Sequence, residues 1–209
     1  MFKLILVLAI NLAISVLNCY AAGVSWKDVF TRGSRLDRWV LRSAVFQSGV
    51  GFSMPILLGL GIGTVSYLTS GTEPALSAEE GKQMMEAIVN LWYAIVIIPI
   101  LGTGTIIWIY SLRVAYERRD LSSIATAGWN TYANVSNAMD AVNNIGGVLG
   151  KLGSFFGDAL NSKGDGKAKS GLIVLLIVAV SLMLGFIIAI SLVRYFARTA
   201  VARVEAQRA

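Results

Sequence analysis

The sequence predicts an all-α integral membrane protein with three or four transmembrane helices and a long, glycine-rich third loop. Four apolar stretches, residues 4–22, 44–68, 87–112 and 171–193, contain no Asp, Glu, Lys, Arg or His. Each is close to or above the ~20 helical residues that cross a hydrocarbon core. The 209-residue chain is 56% hydrophobic and 14% charged, whereas a soluble domain carries about 25% charged residues. We therefore predict one membrane domain with short appendages.

The first segment, residues 1–22, has two interpretations. Lys3 before an apolar run, and small residues up to Ala21, are typical of a signal peptide that is cleaved after Ala21. The same segment also fits an uncleaved first transmembrane helix. Lipid attachment at Cys19 is disfavoured, because Asn18 stands where a small residue is expected. The sequence leaves cleavage and retention open.

The next segments divide into a basic linker and a helical hairpin. Residues 23–43 hold Lys27 and four arginines, which predicts a basic amphipathic juxtamembrane segment with its arginines towards lipid headgroups. Residues 44–112 predict a two-helix transmembrane hairpin. Its connecting loop, residues 69–86, has Lys82 as its one basic residue among four glutamates. Residues 171–209 predict a last transmembrane helix followed by a basic tail.

The distribution of basic residues predicts an orientation, because cytoplasmic loops carry an excess of Lys and Arg. If the loops 23–43 and 113–170 are cytoplasmic, twelve basic residues lie on the cytoplasmic side of the membrane and six on the exterior side. This arrangement puts the N-terminus and the acidic loop 69–86 outside, but it leaves the arginine-rich tail on the wrong side. One further crossing or re-entrant segment within residues 113–170 would reconcile every charge cluster.

The third loop, residues 113–170, is polar and rich in glycine. Within residues 145–160, four glycines recur at spacings of four, three and four, so that on a helix they would share one face. Such a face lets helix backbones approach closely in a membrane. Because glycine disfavours helices by about 1 kcal/mol per residue, a flexible arm is the alternative. The four residues are Gly146, Gly150, Gly153 and Gly157.

A second small-residue pair, Gly59 and Gly63, lies in the second apolar stretch. Together with the four loop glycines, these are the residues that we expect to pack helices together. Aromatic residues near the ends of the apolar stretches are typical of the belt that anchors membrane proteins at the lipid headgroups. The residues expected in this belt are Trp26, Trp39, Trp92, Trp108 and Tyr195.

Signatures of enzymatic chemistry are scarce. The chain has no histidine, which excludes Ser-His-Asp triads and HExxH zinc sites, and a single cysteine, which excludes an intrachain disulfide. No phosphate-binding GxxxxGK[ST] loop occurs, and the apolar stretches lack the carboxylates on which ion-coupled transporters usually depend. We expect no catalytic residue, no cofactor and no metal site. The net charge of +6 lies outside the spans, so we expect no nucleic-acid partner.

These observations predict a non-enzymatic structural subunit of a larger membrane assembly. Small polytopic proteins of this class occur in secretion and conjugation machines and in virion membranes, so a bacterial inner membrane or a virion membrane is the expected location. The expected partners are the lipid bilayer and other membrane subunits, or further copies of the chain. The alternatives are a pore-forming, holin-like homo-oligomer and an accessory subunit of a solute transporter.

Overall fold

The computed structural model describes residues 2–70, 74–161 and 165–206, and it contains five long helices. In chain order they are α1 (Phe2–Arg32), α2 (Arg35–Thr69), α3 (Ala78–Arg118), α4 (Leu121–Asn161) and α5 (Asp165–Ala206). The described residues contain no strand. Four helices, α1, α2, α3 and α5, are long and apolar enough to cross a membrane. The predicted all-helical fold is therefore confirmed for the described residues, and four of the helices could span a membrane.

Local sequence signals define where the helices begin and end. Ser34 accepts a hydrogen bond from the Asp37 amide while the Asp37 carboxylate accepts one from the Ser34 amide, which forms a capping box at the start of α2. Ser77 and Glu80 form the same arrangement at the start of α3. α3 ends at Arg118 and is capped by Arg119, whose left-handed backbone donates its N–H to the Ala115 carbonyl. These caps satisfy backbone groups that the helix ends would otherwise leave unpaired.

The core is built around α2, α3 and α5. One apolar cluster joins these three helices and includes Leu57, Ile88 and Val178. A second cluster joins α1 to α2 and α5 and includes Cys19 and Ala189. In the described part of the chain, α1 packs on α2 and α5, whereas α4 packs on α3 and more lightly on α5. The two outer helices therefore lie on different sides of the central three.

The helices alternate in direction, so the described bundle has two ends of different composition. Gly23 of α1 lies against Phe196 of α5, and Asp37 of α2 interacts electrostatically with Arg113 of α3. We call this the arginine end. At the opposite end, which we call the lysine end, the Leu76 amide donates to the Leu68 carbonyl between α2 and α3.

Two regions of ambiguous sequence take a definite form. Residues 23–43, which the sequence predicts to be a basic juxtamembrane segment, are divided between α1, which continues to Arg32, and α2, which begins at Arg35. Residues 121–161 form the continuous helix α4, although the sequence left a loop, a helix and a re-entrant segment all open. The position of α4 defines the candidate site.

Candidate functional site

α4 runs antiparallel along α3 over most of its length. The Trp108 indole donates to the Thr131 hydroxyl at 2.8 Å near one end, and the Lys151 ammonium lies 3.6 Å from the Glu86 carboxylate near the other. Residues 131–151 of α4 therefore lie beside the apolar segment of α3. α4 is not one of the four apolar spans, because it is too polar. It nevertheless lies alongside the apolar segment of α3.

Small residues on the inner face allow this contact with α3. Ser123, Ala127 and Ala141 are buried against the neighbouring helices, and Leu152 is buried near the lysine end. Short side chains let the helix axes come close, as is usual for helix pairs in membranes. The start of α4 is fixed by Asp120, whose carboxylate accepts the Ser123 amide at 2.7 Å. This hydrogen bond lowers the pKa of Asp120 below its ordinary value.

A polar layer crosses α2, α3 and α4 at Gly104. A Cβ at Gly104 would stand 3.0 Å from the Asn134 Oδ1 and 3.5 Å from the Gln47 Nε2, so the glycine leaves room for two amide side chains. The Gln47 amide lies 3.5 Å from the Thr103 hydroxyl, and the Asn134 amide lies 3.4 Å from the Thr105 hydroxyl. These long contacts connect three helices within the apolar region.

The outer face of α4 is uncovered and mixed in character. Tyr132, Met139 and Val142 are 60 to 80% exposed along it. Asp140 and Asn143 are exposed on the same face, opposite the middle of the apolar segment of α3. Ionised and amide side chains at this depth ordinarily face other protein or water, because hydrocarbon cannot solvate them.

Depressions follow α4 from the lysine end towards the arginine end. A cavity of about 300 Å³ opens between α3, α4 and the start of α5, and Glu80, Asn90, Lys151 and Asp158 contribute to its wall. A second depression shares Asn90 and Lys151 with it, and a third shares Asn143 with the second. Together they form an almost continuous groove lined by both polar and apolar side chains, which we call the α4 groove.

Tyr93 of α3 is the most unusual group in the α4 groove. Its hydroxyl oxygen is buried and has no hydrogen-bond partner among the described residues. It lines the second depression with Asn143 and Asn144, and it interacts electrostatically with Asp140. A buried hydroxyl without a partner is costly in a dry environment, so this part of the groove is suited to water.

None of the six glycines expected in helix packing packs against another helix among the described residues. A Cβ at any of them would meet no atom within 4 Å outside its own helix. The residues are Gly59, Gly63, Gly146, Gly150, Gly153 and Gly157. Their packing role against another chain stays a prediction.

Other glycines form the close contacts inside the described bundle. Gly49 of α2 faces the Phe186 ring, Gly51 faces Ser15 of α1, and Gly185 of α5 faces the backbone of α2. The sequence carried a signal for this crossing, since Gly49 and Ser53 are four residues apart, as are Ser181 and Gly185. These residues were not among the six glycines that the sequence predicts to pack helices.

The five expected belt residues divide into two groups. Trp26, Trp39 and Tyr195 lie near the arginine end with 39 to 60% of their surface exposed. The indoles of Trp92 and Trp108 are half-buried and donate to the hydroxyls of Ser53 and Thr131, each at 2.8 Å. The anchoring role of these residues at a lipid interface stays a prediction.

The described ranges contain no group of three or more His, Cys, Asp and Glu side chains that could hold a metal ion. In comparisons with protein-family models, with curated proteins and with solved structures, the chain has no match. Its function must therefore be inferred from the position and exposure of α4.

Proposed function

We propose that this chain is a non-enzymatic structural subunit of a larger membrane assembly, and that it joins other subunits through the outer face of α4. The observation that carries the proposal is the exposure of Asp140 and Asn143 beside the apolar segment of α3. An aspartate at the centre of a membrane helix costs about 2.5–3.5 kcal/mol on insertion scales. Another polypeptide or water would have to cover this face.

The glycines of α4 support a polypeptide as the covering element. Gly146 and Gly150 lie on the exposed side of the helix, and added Cβ atoms there would meet nothing within 4 Å. A second helix can approach such a surface closely, and interhelical van der Waals contacts are a main source of helix association in lipid. The outer face of α4 therefore combines polar side chains that hydrocarbon cannot solvate with a glycine surface against which a second helix can pack.

The class of assembly follows by analogy with other small polytopic proteins. Envelope-spanning secretion and conjugation complexes and virion membranes contain subunits of this size with few charges. The proposal accordingly places the chain in a bacterial inner membrane or a virion membrane. Its partners would be the bilayer and other membrane subunits.

A pore-forming homo-oligomer is the second candidate, and the α4 groove favours it. The first and second depressions share Asn90 and Lys151, and the second and third share Asn143, so polar groups recur among apolar ones along the groove. Several copies with α4 turned towards a common axis would enclose a water-filled path. The unpartnered Tyr93 hydroxyl would then be hydrated.

Purification in a mild detergent tests both candidates. A discrete complex that contains other membrane proteins is the result expected for an assembly subunit. A large homo-oligomer that releases dye from liposomes would favour the pore instead. A monomer that remains monomeric after cross-linking in its native membrane would contradict both, because the α4 face would then lie against lipid.

A further inference from the structure

Among the cationic side chains that the structure describes, arginine predominates at one end of the bundle and lysine at the other, although the α1 backbone also places Lys27 towards the arginine end. The nine arginines whose side chains the structure describes lie at the arginine end, and the four described lysines lie towards the lysine end. The arginines are Arg32, Arg35, Arg38, Arg42, Arg113, Arg118, Arg119, Arg194 and Arg198. The lysines are Lys3, Lys82, Lys151 and Lys169.

The charge balance of the two ends differs as well. The described carboxylates at the arginine end are Asp28, Asp37, Glu117 and Asp120, which leaves a surplus of five positive charges there. At the lysine end, the four lysines are matched by four described carboxylates, Glu79, Glu80, Glu86 and Asp158. Among the described residues, the arginine end is therefore the end with surplus positive charge, which attracts anions.

Membrane orientation alone does not explain this sorting. The positive-inside bias counts lysine and arginine alike, so either residue type would serve at either end. The two differ in their chemistry towards phosphate. A guanidinium presents a planar fork that can donate two parallel hydrogen bonds to phosphate oxygens, whereas an ammonium acts as a point charge. Concentration of arginine at one end favours recognition of phosphate there.

Arg42 provides an ordered centre for such recognition. Its guanidinium carbon lies 5.8 Å from the centre of the Phe30 ring and 5.5 Å from the centre of the Trp39 ring. Trp26 stacks on Phe30 with 4.2 Å between ring centroids. Contacts with ring faces hold the guanidinium in place while its N–H edge stays available.

Arg42 is exposed and has no carboxylate partner in the described part of the chain. The ion pairs formed there are Arg113 with Glu117 and Lys151 with Glu86. The aromatic side chains around Arg42 are of the type that lies at lipid-headgroup depth. An anion that binds here would therefore sit where phospholipid phosphates are found.

We propose that the arginine end binds the phosphate groups of anionic phospholipids, with Arg42 between Phe30 and Trp39 as the centre of the site. The occupant is a bilayer lipid, since Arg42 and its aromatic neighbours lie where the bundle would meet the headgroup layer. The site is separate from the α4 face and does not depend on the proposed assembly function.

Native mass spectrometry of the full chain in mild detergent tests this site. Titration with phosphatidylglycerol should give bound adducts at lower lipid concentration than titration with phosphatidylcholine. Arg42→Lys keeps the charge but removes the planar fork of the guanidinium, so it should weaken phosphatidylglycerol binding by about tenfold or more, on the order of one lost charge-assisted hydrogen bond. The matched control at the lysine end, Lys82→Ala, should leave the titration unchanged.

Several results would overturn the proposal. They are equal binding of the two lipids by the unaltered chain, full retention of phosphatidylglycerol by Arg42→Lys, and an equal loss in Lys82→Ala. A single-stranded oligonucleotide that displaces phosphatidylglycerol at a similar concentration would point to nucleic acid instead. If Arg42→Lys does not fold, the lipid preference of the unaltered chain decides the outcome.

Discussion

Gly185 of α5 lies against the backbone carbonyl of Gly49 in α2, so closely that no Cβ fits between the two helices. A Cβ on Gly185 would also stand 2.7 Å from the Ser53 amide nitrogen and 2.8 Å from the Ser53 Cβ. Two of these atoms belong to the α2 backbone, and the third, the Ser53 Cβ, is bonded directly to it. None of them can rotate aside as the end of a flexible side chain can. The central crossing of the bundle therefore depends on glycine at position 185.

Replacement of Gly185 by alanine should destabilise the protein. Overpacking typically lowers the free energy of unfolding by about 1–3 kcal/mol. The loss should appear as a lower midpoint of unfolding in detergent, followed by circular dichroism. Gly102→Ala in α3 is the matched control, because a Cβ there would meet nothing within 4 Å. Alanine at position 102 should be neutral or slightly stabilising through its higher helix propensity. Equal losses at the two positions would contradict the close crossing.

The contact between α3 and α4 depends on the hydrogen bond from Trp108 to Thr131. Trp108→Phe and Thr131→Val each remove one partner, and the double variant removes both. We expect a coupling free energy of about 0.6 kcal/mol, the average for interhelical hydrogen bonds in a membrane protein. A double-mutant cycle on unfolding midpoints measures it. Thr131→Ser keeps the hydroxyl and should behave like the unaltered chain, whereas fully additive losses would show that the contact carries no energy.

The sidedness of the two ends of α4 can be measured directly. Single cysteines at Ser122 and Asp158, both exposed, should lie on opposite sides of a bilayer if α4 crosses it beside α3. The background would carry Cys19→Ala, since Cys19 is the native cysteine. A membrane-impermeant maleimide applied to sealed vesicles should then label one position and spare the other. Labelling of both from the same side would show that α4 does not cross.

A crossing α4 would also reconcile the charge clusters. Each arginine group, including Arg194 and Arg198 of the tail, would lie on the side that the positive-inside bias assigns to the cytoplasm. The loop between α2 and α3 should then be exterior. A cysteine at Ala75 tests this, because it should share the labelling of position 158 and differ from position 122. A cytoplasmic readout at position 75 would reverse the expected orientation.

The four apolar helices could be predicted because lipid leaves the backbone few alternatives. A charge-free run of about 20 residues has to satisfy its N–H and C=O groups internally, which a helix does. The same runs do not reveal which face of each helix contacts a neighbour, or which residues of two helices lie opposite each other. Gly59 and Gly63 show the same spacing as Gly49 and Ser53, yet only the latter pair faces a neighbouring helix. Spacing identifies a small-residue face, and the tertiary arrangement decides what covers it.

The position of α4 was beyond sequence reasoning for a different reason. Residues 121–161 lack a long apolar run, and their glycines lower helix propensity, so local signals did not decide between loop and helix. The partners that place α4, such as Thr105 for Asn134 and Glu86 for Lys151, are distant in sequence. Such contacts depend on how α3 and α4 pair, and a residue pattern within one segment does not reveal them.

The glycines on the outer face of α4 provide the sharpest test of the assembly proposal. Gly150→Leu and Gly153→Leu add bulk where a partner helix would approach, while the exposure of both positions leaves the fold of a single chain undisturbed. We expect these variants to keep their helical content and to lose assembly, seen as a smaller complex on a detergent column. The physical reason is steric, since a leucine side chain holds two helix backbones apart.

Gly102→Leu is the matched control, since Gly102 is an equally exposed glycine within an apolar span on a different helix. It adds the same volume to the membrane-facing surface of α3 and should leave the complex intact. An equal reduction in size for all three variants would show that bulk anywhere on the bundle disturbs assembly, and the α4 face would lose its special role. If all three complexes keep their full size, the subunits associate through some other surface, and Asp140 must then be covered by water.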